Sequence, residues 1–599
     1  MYLVKNTSYK INMYKNVIFI IVDSLCQDNV GIGYSGITTT PFLDSIVDTG
    51  IYATNVYSQG PFTEAGTKSL LCGEDTLSNG GYLLRYANAD SFITDVFKEN
   101  GYETYCYMYP NALLSQKSLK CTDHMLYTSG FDFEVIWKQK LVYFLERYKL
   151  NLLDEEDIND CMNVIELTLE SWKSFFCPVN KSESHSLLSD YLQEYDLEKN
   201  VTKLLEQYET FHRDKKAYVF NLFKLKKRHA LFSIPSLNMG QMIQNDVIRE
   251  AFSKHKSFIK SFKKKQRLLN IRNNKYSIIK QLGDVLSFGI SRDKAKLMKT
   301  YNYYSLLREA SDIRLCENSD KYKVVISAKT IFDDLCNKLK ERTEDKRFFF
   351  VHIEDTHYFS TFFSYDSDDV SIIEEEIKDA EEYLCEVGNK YRGNLLYDFS
   401  IRYVDKQIER MFNALNNYGD LQDSLICVTA DHGYSFNRYP LRDSVVNNFH
   451  KENYHVPFYL INSNQNYIYD GFMLGKDIVA TIYDECGFGI PSSVSGISIL
   501  NNKKKRDNVI IEYMGPGCPD IRNRKAWFSA RSRTRVVSVK ANVLSNSITQ
   551  NDIVEVYNLE SDPLEEVNIA GKVKEPDKEC SRLFKLICDR ISEIRSEYK

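Results

Sequence analysis

Ser424-Leu425-Ile426-Cys427-Val428-Thr429-Ala430-Asp431-His432-Gly433 is an apolar, β-branched run that ends in a carboxylate, an imidazole and a glycine. Such a run fits a strand covered on both faces, the kind that occupies the middle of a parallel sheet. Asp431 and His432 then leave the strand at its carboxyl end, the edge where open α/β sheets bind ligands. A carboxylate beside an imidazole suits a divalent transition metal such as zinc or manganese. The plain alternative is a capped turn with a hydrogen-bonded histidine.

Two segments nearer the amino terminus point to the same edge. Asn16-Val17-Ile18-Phe19-Ile20-Ile21-Val22-Asp23 is a second apolar run ending in an acid, so Asp23 falls where Asp431 does. Aspartate is also a common helix N-cap, which is the structural alternative for Asp23. In Ser58-Gln59-Gly60-Pro61-Phe62-Thr63-Glu64-Ala65-Gly66-Thr67-Lys68-Ser69-Leu70-Leu71-Cys72-Gly73, the Gly-Pro pair breaks the chain. Thr63–Cys72 then reads as a short helix stopped by Gly73. Thr63 stands at its amino end, where free amides and the helix dipole favour an anion. A metal-bound hydroxyl there can be deprotonated and attack phosphorus or sulfur, whereas a simple cap would leave Thr63 structural. A third apolar run, Phe348-Phe349-Phe350-Val351, precedes His357, which therefore emerges near a strand end as well.

The ordered set resembles the alkaline phosphatase and sulfatase superfamily. The likeness runs through Val22-Asp23-Ser24-Leu25, Thr40-Pro41-Phe42-Leu43-Asp44, the Gly60 to Gly73 block, Val351 to His357, Asp431-His432-Gly433 and Val456-Pro457-Phe458. Toward the carboxyl end it includes Glu512 to Gly517 and Glu555 to Glu565. It implies an α/β fold with a mostly parallel central sheet and helices on both faces. A large helical insertion and a small C-terminal antiparallel sheet complete that expectation.

Departures from the family pattern shape the expected chemistry. Sulfatases carry Cys (or Ser)-x-Pro-Ser-Arg before a Leu-Leu-x-Gly block, and that cysteine or serine becomes formylglycine. Counting back from Leu70-Leu71-Cys72-Gly73 places Thr63 at this position, and the arginine is missing. Threonine cannot become formylglycine; it is the nucleophile type of the phosphoethanolamine and phosphoglycerol transferase branches. Thr67, one helical turn on, competes for the role. Ser24 follows Asp23 where sulfatases have a second aspartate. The resemblance thus implies one primary metal site from Asp23, Thr63, Asp431 and His432. His357 and His450 either form a second site or protonate the leaving group. Zinc or manganese is expected ahead of calcium or magnesium.

Composition sets the setting. The chain has 599 residues, 43% hydrophobic, with a net charge of −5, so it is expected to be globular and not to coat nucleic acid. Residues 16–130 read as the first part of the catalytic α/β domain, 131–345 as the helical insertion, 346–500 as its second part and 507–599 as the C-terminal subdomain. Within the insertion, Lys224, Lys226, Lys227 and Arg228, and later Lys254 to Arg267, form basic runs that fit solvated helix faces or a collar for an anionic substrate. The insertion could equally carry a homo-oligomer interface. No run reaches the roughly 20 apolar residues of a membrane helix. The 14 cysteines are dispersed, as in a reduced compartment, and with the polar stretch from Met1 to Lys15 this leads to the expectation of a cytoplasmic protein. The expected activity is that of a metal-dependent hydrolase or transferase acting on phosphoryl esters through a phosphothreonine, on small-molecule, glycan- or nucleotide-linked substrates. A sulfuric ester hydrolase with an unusual nucleophile and a non-catalytic binding protein on the same scaffold are the alternatives.

Overall fold

The computed structural model describes residues 14–31, 38–82, 91–108, 122–127, 197–224, 328–341, 343–357, 395–434, 450–500, 505–515, 525–545, 548–565, 567–570 and 577–597, with residue 89 and isolated positions between 148 and 169. The basic residues from Lys226 to Arg267, and Pro516 and Gly517, lie outside these.

Thirteen strands are described: β1 (Asn16–Val22), β2 (Gly50–Tyr57), β3 (Tyr102–Met108), β4 (His124–Tyr127), β5 (Lys346–Ile353), β6 (Ser424–Thr429), β7 (His455–Ile461), β8 (Tyr467–Tyr469), β9 (Met473–Leu474), β10 (Val509–Tyr513), β11 (Ala526–Arg531), β12 (Arg535–Ala541) and β13 (Ile553–Asn558). The described helices are α1 (Pro41–Ser45), α2 (Thr63–Cys72), α3 (Ile93–Glu99), α4 (Leu197–Arg213), α5 (Lys215–Lys224), α6 (Ala328–Lys340), α7 (Leu395–Tyr418), α8 (Gly475–Glu485) and α9 (Lys578–Glu597), besides short 3-10 turns.

The large sheet runs β4-β3-β5-β1-β6-β7-β2-β8, with β9 also on β2. From β4 to β6 every pairing is parallel, and β7 is antiparallel to both β6 and β2. Every residue of β1 and of β6 is buried. That explains their unbroken apolar character: each lies inside the sheet and is covered on both faces. A second sheet, β10-β11-β12-β13, is antiparallel throughout, and α9 packs on β11 and β12. The molecule is thus an α/β protein with a mostly parallel central sheet and a small antiparallel sheet toward the carboxyl end.

Register decides where the chemistry falls. Asn16 of β1 pairs with Arg347 of β5 and Ser424 of β6, so the three strands start level and finish level. The residues just past Val22, Ile353 and Thr429 therefore gather at one edge. Helix α2 is set against the same edge and packs on α8. It ends at Gly73, whose φ of 69° is the left-handed cap expected of a glycine there. No described helix is long and apolar enough to cross a membrane.

Candidate active site

Asp23 is the first residue past β1, and its amide extends the ladder to the Ile353 carbonyl at 2.8 Å. Asp431 and His432 follow β6 by two and three residues. Both aspartates and His432 are buried. Gly433 is there because its backbone lies against the next turn: its amide donates to Asn453 O at 2.8 Å, and a Cβ would stand 1.9 Å from Glu452 O.

Thr63 is the first residue of α2, and the N-cap is the extended Phe62, which makes no side-chain cap. Its hydroxyl is therefore not needed to close the helix end. Thr63 Oγ1 lies 3.2 Å from His432 Nε2 and 3.4 Å from Asp23 Oδ2. Thr67 Oγ1 instead donates to Thr63 O at 2.5 Å, a contact inside the helix. Of the two threonines, Thr63 is the one with described contacts to Asp23 and His432. What holds α2 so close is Gly66, which packs on the Asp431 carbonyl, and Ser58, whose hydroxyl donates to that same carbonyl.

His357 sits in the turn after β5, closed by its amide on Glu354 O at 3.1 Å. Its Nδ1 is 3.2 Å from Asp23 Oδ1 and 2.8 Å from Ser24 Oγ. Ser24 has one hydroxyl hydrogen, and Asp23 Oδ1 at 2.7 Å accepts it. The His357 contact is then one in which Nδ1–H donates, which leaves Nε2 as the nitrogen that can take or give a proton. Burial by itself would raise the Asp23 carboxyl, but His357 above all, then His432 and His352, hold it well below the ordinary carboxylate range.

Ser24 ties the edge together. Its backbone is left-handed, with φ 63°. Its amide donates to Asp431 Oδ1 at 3.2 Å and its carbonyl accepts from Tyr397 Oη on α7 at 2.7 Å. His450 is buried and begins the turn that holds Asn453, the residue whose carbonyl receives Gly433 N.

These side chains can hold a metal ion. His432 Nδ1 lies 2.6 Å from Gly433 O, a hydrogen bond that leaves Nε2 with its lone pair toward Thr63, Asp23 and Asp431. Asp431 Oδ2 is fully buried and receives no hydrogen bond from a described residue. Two groups of three potential ligands stand out, Asp23 with His357 and His432, and Asp23 with His352 and Asp431. His352 escapes a strand-end search because it lies inside β5. The available signal was a histidine in the otherwise apolar Phe348 to Ile353 run.

A carboxylate and imidazole cluster able to hold a metal thus stands beside a helix-borne hydroxyl at one edge of the sheet. The sulfatase family model matches residues 15–219 and 235–484, and the chain belongs to that family. An arylsulfatase of Clostridium perfringens is 25% identical over 185 residues, 30% of this chain and 36% of that protein. The extracellular SULF-1 homologue of Drosophila melanogaster is 29% identical over 168 residues, 26% of this chain and 14% of its own length. The chain thus spans well under half of either relative. Among solved structures, a protein of Bacteroides fragilis (yidJ) assigned to the sulfatases superposes with a TM-score of 0.50 at 13% identity, covering 97% of this chain and 96% of that one, a likeness of fold.

Proposed function

We propose that the chain cleaves phosphoryl esters through a covalent phosphothreonine at Thr63, with zinc or manganese held by Asp23, Asp431, His432 and Thr63. The observation that carries this is the position of Thr63 Oγ1, 3.2 Å from His432 Nε2 and 3.4 Å from Asp23 Oδ2, in a residue from which formylglycine cannot be made. An ion with bonds of about 2.0–2.2 Å sets its ligand atoms about 3.0–3.6 Å apart. The Thr63, Asp23 and His432 separations match that span. A metal ion held there would lower the pKa of the Thr63 hydroxyl, so that its proton passes to solvent before attack, and would offset charge on the ester oxygens.

The chain's own groups do the rest. Thr63 Oγ forms the bond to phosphorus while the ester P–O bond on the far side breaks. His357 Nε2 gives its proton to the departing oxygen. Water or an acceptor hydroxyl then attacks the phosphothreonine, passes its proton to His357 and releases Thr63. Hydrolysis and transfer share this intermediate, and a glycan- or nucleotide-linked phosphoester is the substrate class proposed. His450, which is buried, is the alternative proton donor or a ligand of a second ion. A second reading, sulfuric ester hydrolysis from the same threonine, draws on the sulfatases among its relatives.

Rates on aryl phosphate monoesters, phosphodiesters and sulfate esters, measured on metal-loaded protein, decide between the two. Preference for a phosphoryl ester, lost in Thr63→Ala, is the expected result. Preference for sulfate, or activity retained in Thr63→Ala, would overturn the proposal.

A further inference from the structure

We propose that His352 is a metal ligand, joining Asp23 and Asp431 on the ion that the site takes; this rests on the metal reading given above. His352 is the seventh residue of β5, pairs in register with Ile21 of β1 and is fully buried. Its Nε2 lies 3.6 Å from Asp23 Oδ2 and 3.6 Å from Asp431 Oδ2. Both separations are too long for hydrogen bonds. Both suit two ligand atoms sharing one ion, which at bonds of about 2.0–2.2 Å stand about 3.0–3.6 Å apart.

Asp431 supplies the independent observation. Its Oδ1 is occupied, accepting from the amides of Ser24 at 3.2 Å and His432 at 2.8 Å. Oδ2 is buried, receives no hydrogen bond from a described residue, and has His352 Nε2 and His432 Nε2 at 3.6 and 3.7 Å. A buried carboxylate oxygen left without a donor is costly, and a cation between it and the two imidazoles removes that cost. Asp23 is divided in the same manner, with Oδ1 toward His357 and His432 and Oδ2 toward His352 and Thr63. One face of each carboxylate is thus tied to the fold, and the faces left over meet at His352. Two carboxylate oxygens with imidazole nitrogens are a donor set for zinc or manganese, harder than a thiolate site and softer than an all-oxygen one.

The direct test is a crystal of the full chain grown with zinc, with the ion located by its anomalous scattering. An ion about 2.0–2.2 Å from His352 Nε2 supports the proposal, and an ion bound elsewhere, with that nitrogen beyond about 3 Å, overturns it. In solution, His352→Gln is expected to weaken zinc binding, read by calorimetry, by more than the about 10–100-fold that a residue acting through a ligand gives. It should also alter the visible spectrum of the cobalt-loaded protein. A variant that binds zinc as tightly as the parent, with the parent's cobalt spectrum, overturns the assignment. If the parent takes up neither zinc nor manganese, the metal reading falls with it; if the ion binds without His352, only this assignment falls.

Discussion

Replacing Gly66 by alanine separates packing from chemistry. Glycine inside a helix is unfavourable by about 1 kcal/mol relative to alanine, so on propensity alone Gly66→Ala should stabilise α2. The contact surface reverses that sign. A Cβ at Gly66 would stand 2.0 Å from the Asp431 carbonyl oxygen, 2.8 Å from Ser58 Oγ and 2.9 Å from the Asp431 carbonyl carbon. Restoring ordinary contact at 3.4 Å requires α2 and Asp431 to part by about 1.4 Å, and overpacking of that kind costs about 1–3 kcal/mol. The propensity gain offsets only part of it, leaving a loss on the order of 1 kcal/mol. Either partner that yields carries a site residue, Thr63 on one side and Asp431 on the other. A misplacement near 1 Å costs about 100-fold in rate. Gly66→Ala should therefore melt lower and lose kcat at least about 100-fold on an aryl ester. A variant that melts higher and keeps the parent kcat would show that the contact does not set the position of Thr63.

Four further outcomes are expected. Thr67→Ala should keep adduct formation and most of the activity that Thr63→Ala loses, because the Thr67 hydroxyl is bonded inside the helix to Thr63 O; equal losses in steady-state assays would contradict this. Arg531→Met should cost about 3–5 kcal/mol in denaturant unfolding, since it leaves the buried Glu565 carboxylate without its ion-pair partner; a loss under 1 kcal/mol would refute it. Asp405, buried on α7, accepts from the amides of Phe42 at 2.8 Å and Leu43 at 3.0 Å, yet burial raises its pKa to about 7. The folded chain then holds that proton more tightly than the unfolded one. Stability should fall as pH rises from about 4 to about 7, by at most about 1.4 kcal/mol per unit, and Asp405→Asn should flatten that slope. Zinc or manganese at about 100 times its Kd should add about 2.7 kcal/mol of stability, reversed by a chelator, and an unchanged melting temperature would count against the metal site.

Much of this was legible because a buried parallel strand has to be apolar on both faces. That requirement makes Asn16–Val22 and Ser424–Thr429 visible and places Asp23 and Asp431 at one edge before any coordinates. Helix α2 was equally readable, from the Gly-Pro break to the left-handed Gly73, and its bounds at Thr63 and Cys72 are those the sequence indicates. His352 was hidden by the same logic: a search for strand ends passes over a residue inside a strand, although a histidine in Phe348 to Ile353 was an anomaly. Ser24 could not be foreseen as a hub, because its left-handed backbone and its bonds to Asp431 and Tyr397 depend on elements about 400 residues apart. The antiparallel strands β2 and β7 were also silent, since their pairing joins Gly50 to Ile461 and no local pattern announces a partner so distant.

The central claim is that Thr63 carries the transferred group. Quenching the metal-loaded protein during turnover of an aryl phosphodiester, then measuring intact mass and mapping the modified peptide, tests it directly. The account predicts a phosphoryl adduct on Thr63 that is absent from Thr63→Ala. Turnover with no adduct on any residue, or an adduct on a different side chain, would contradict it.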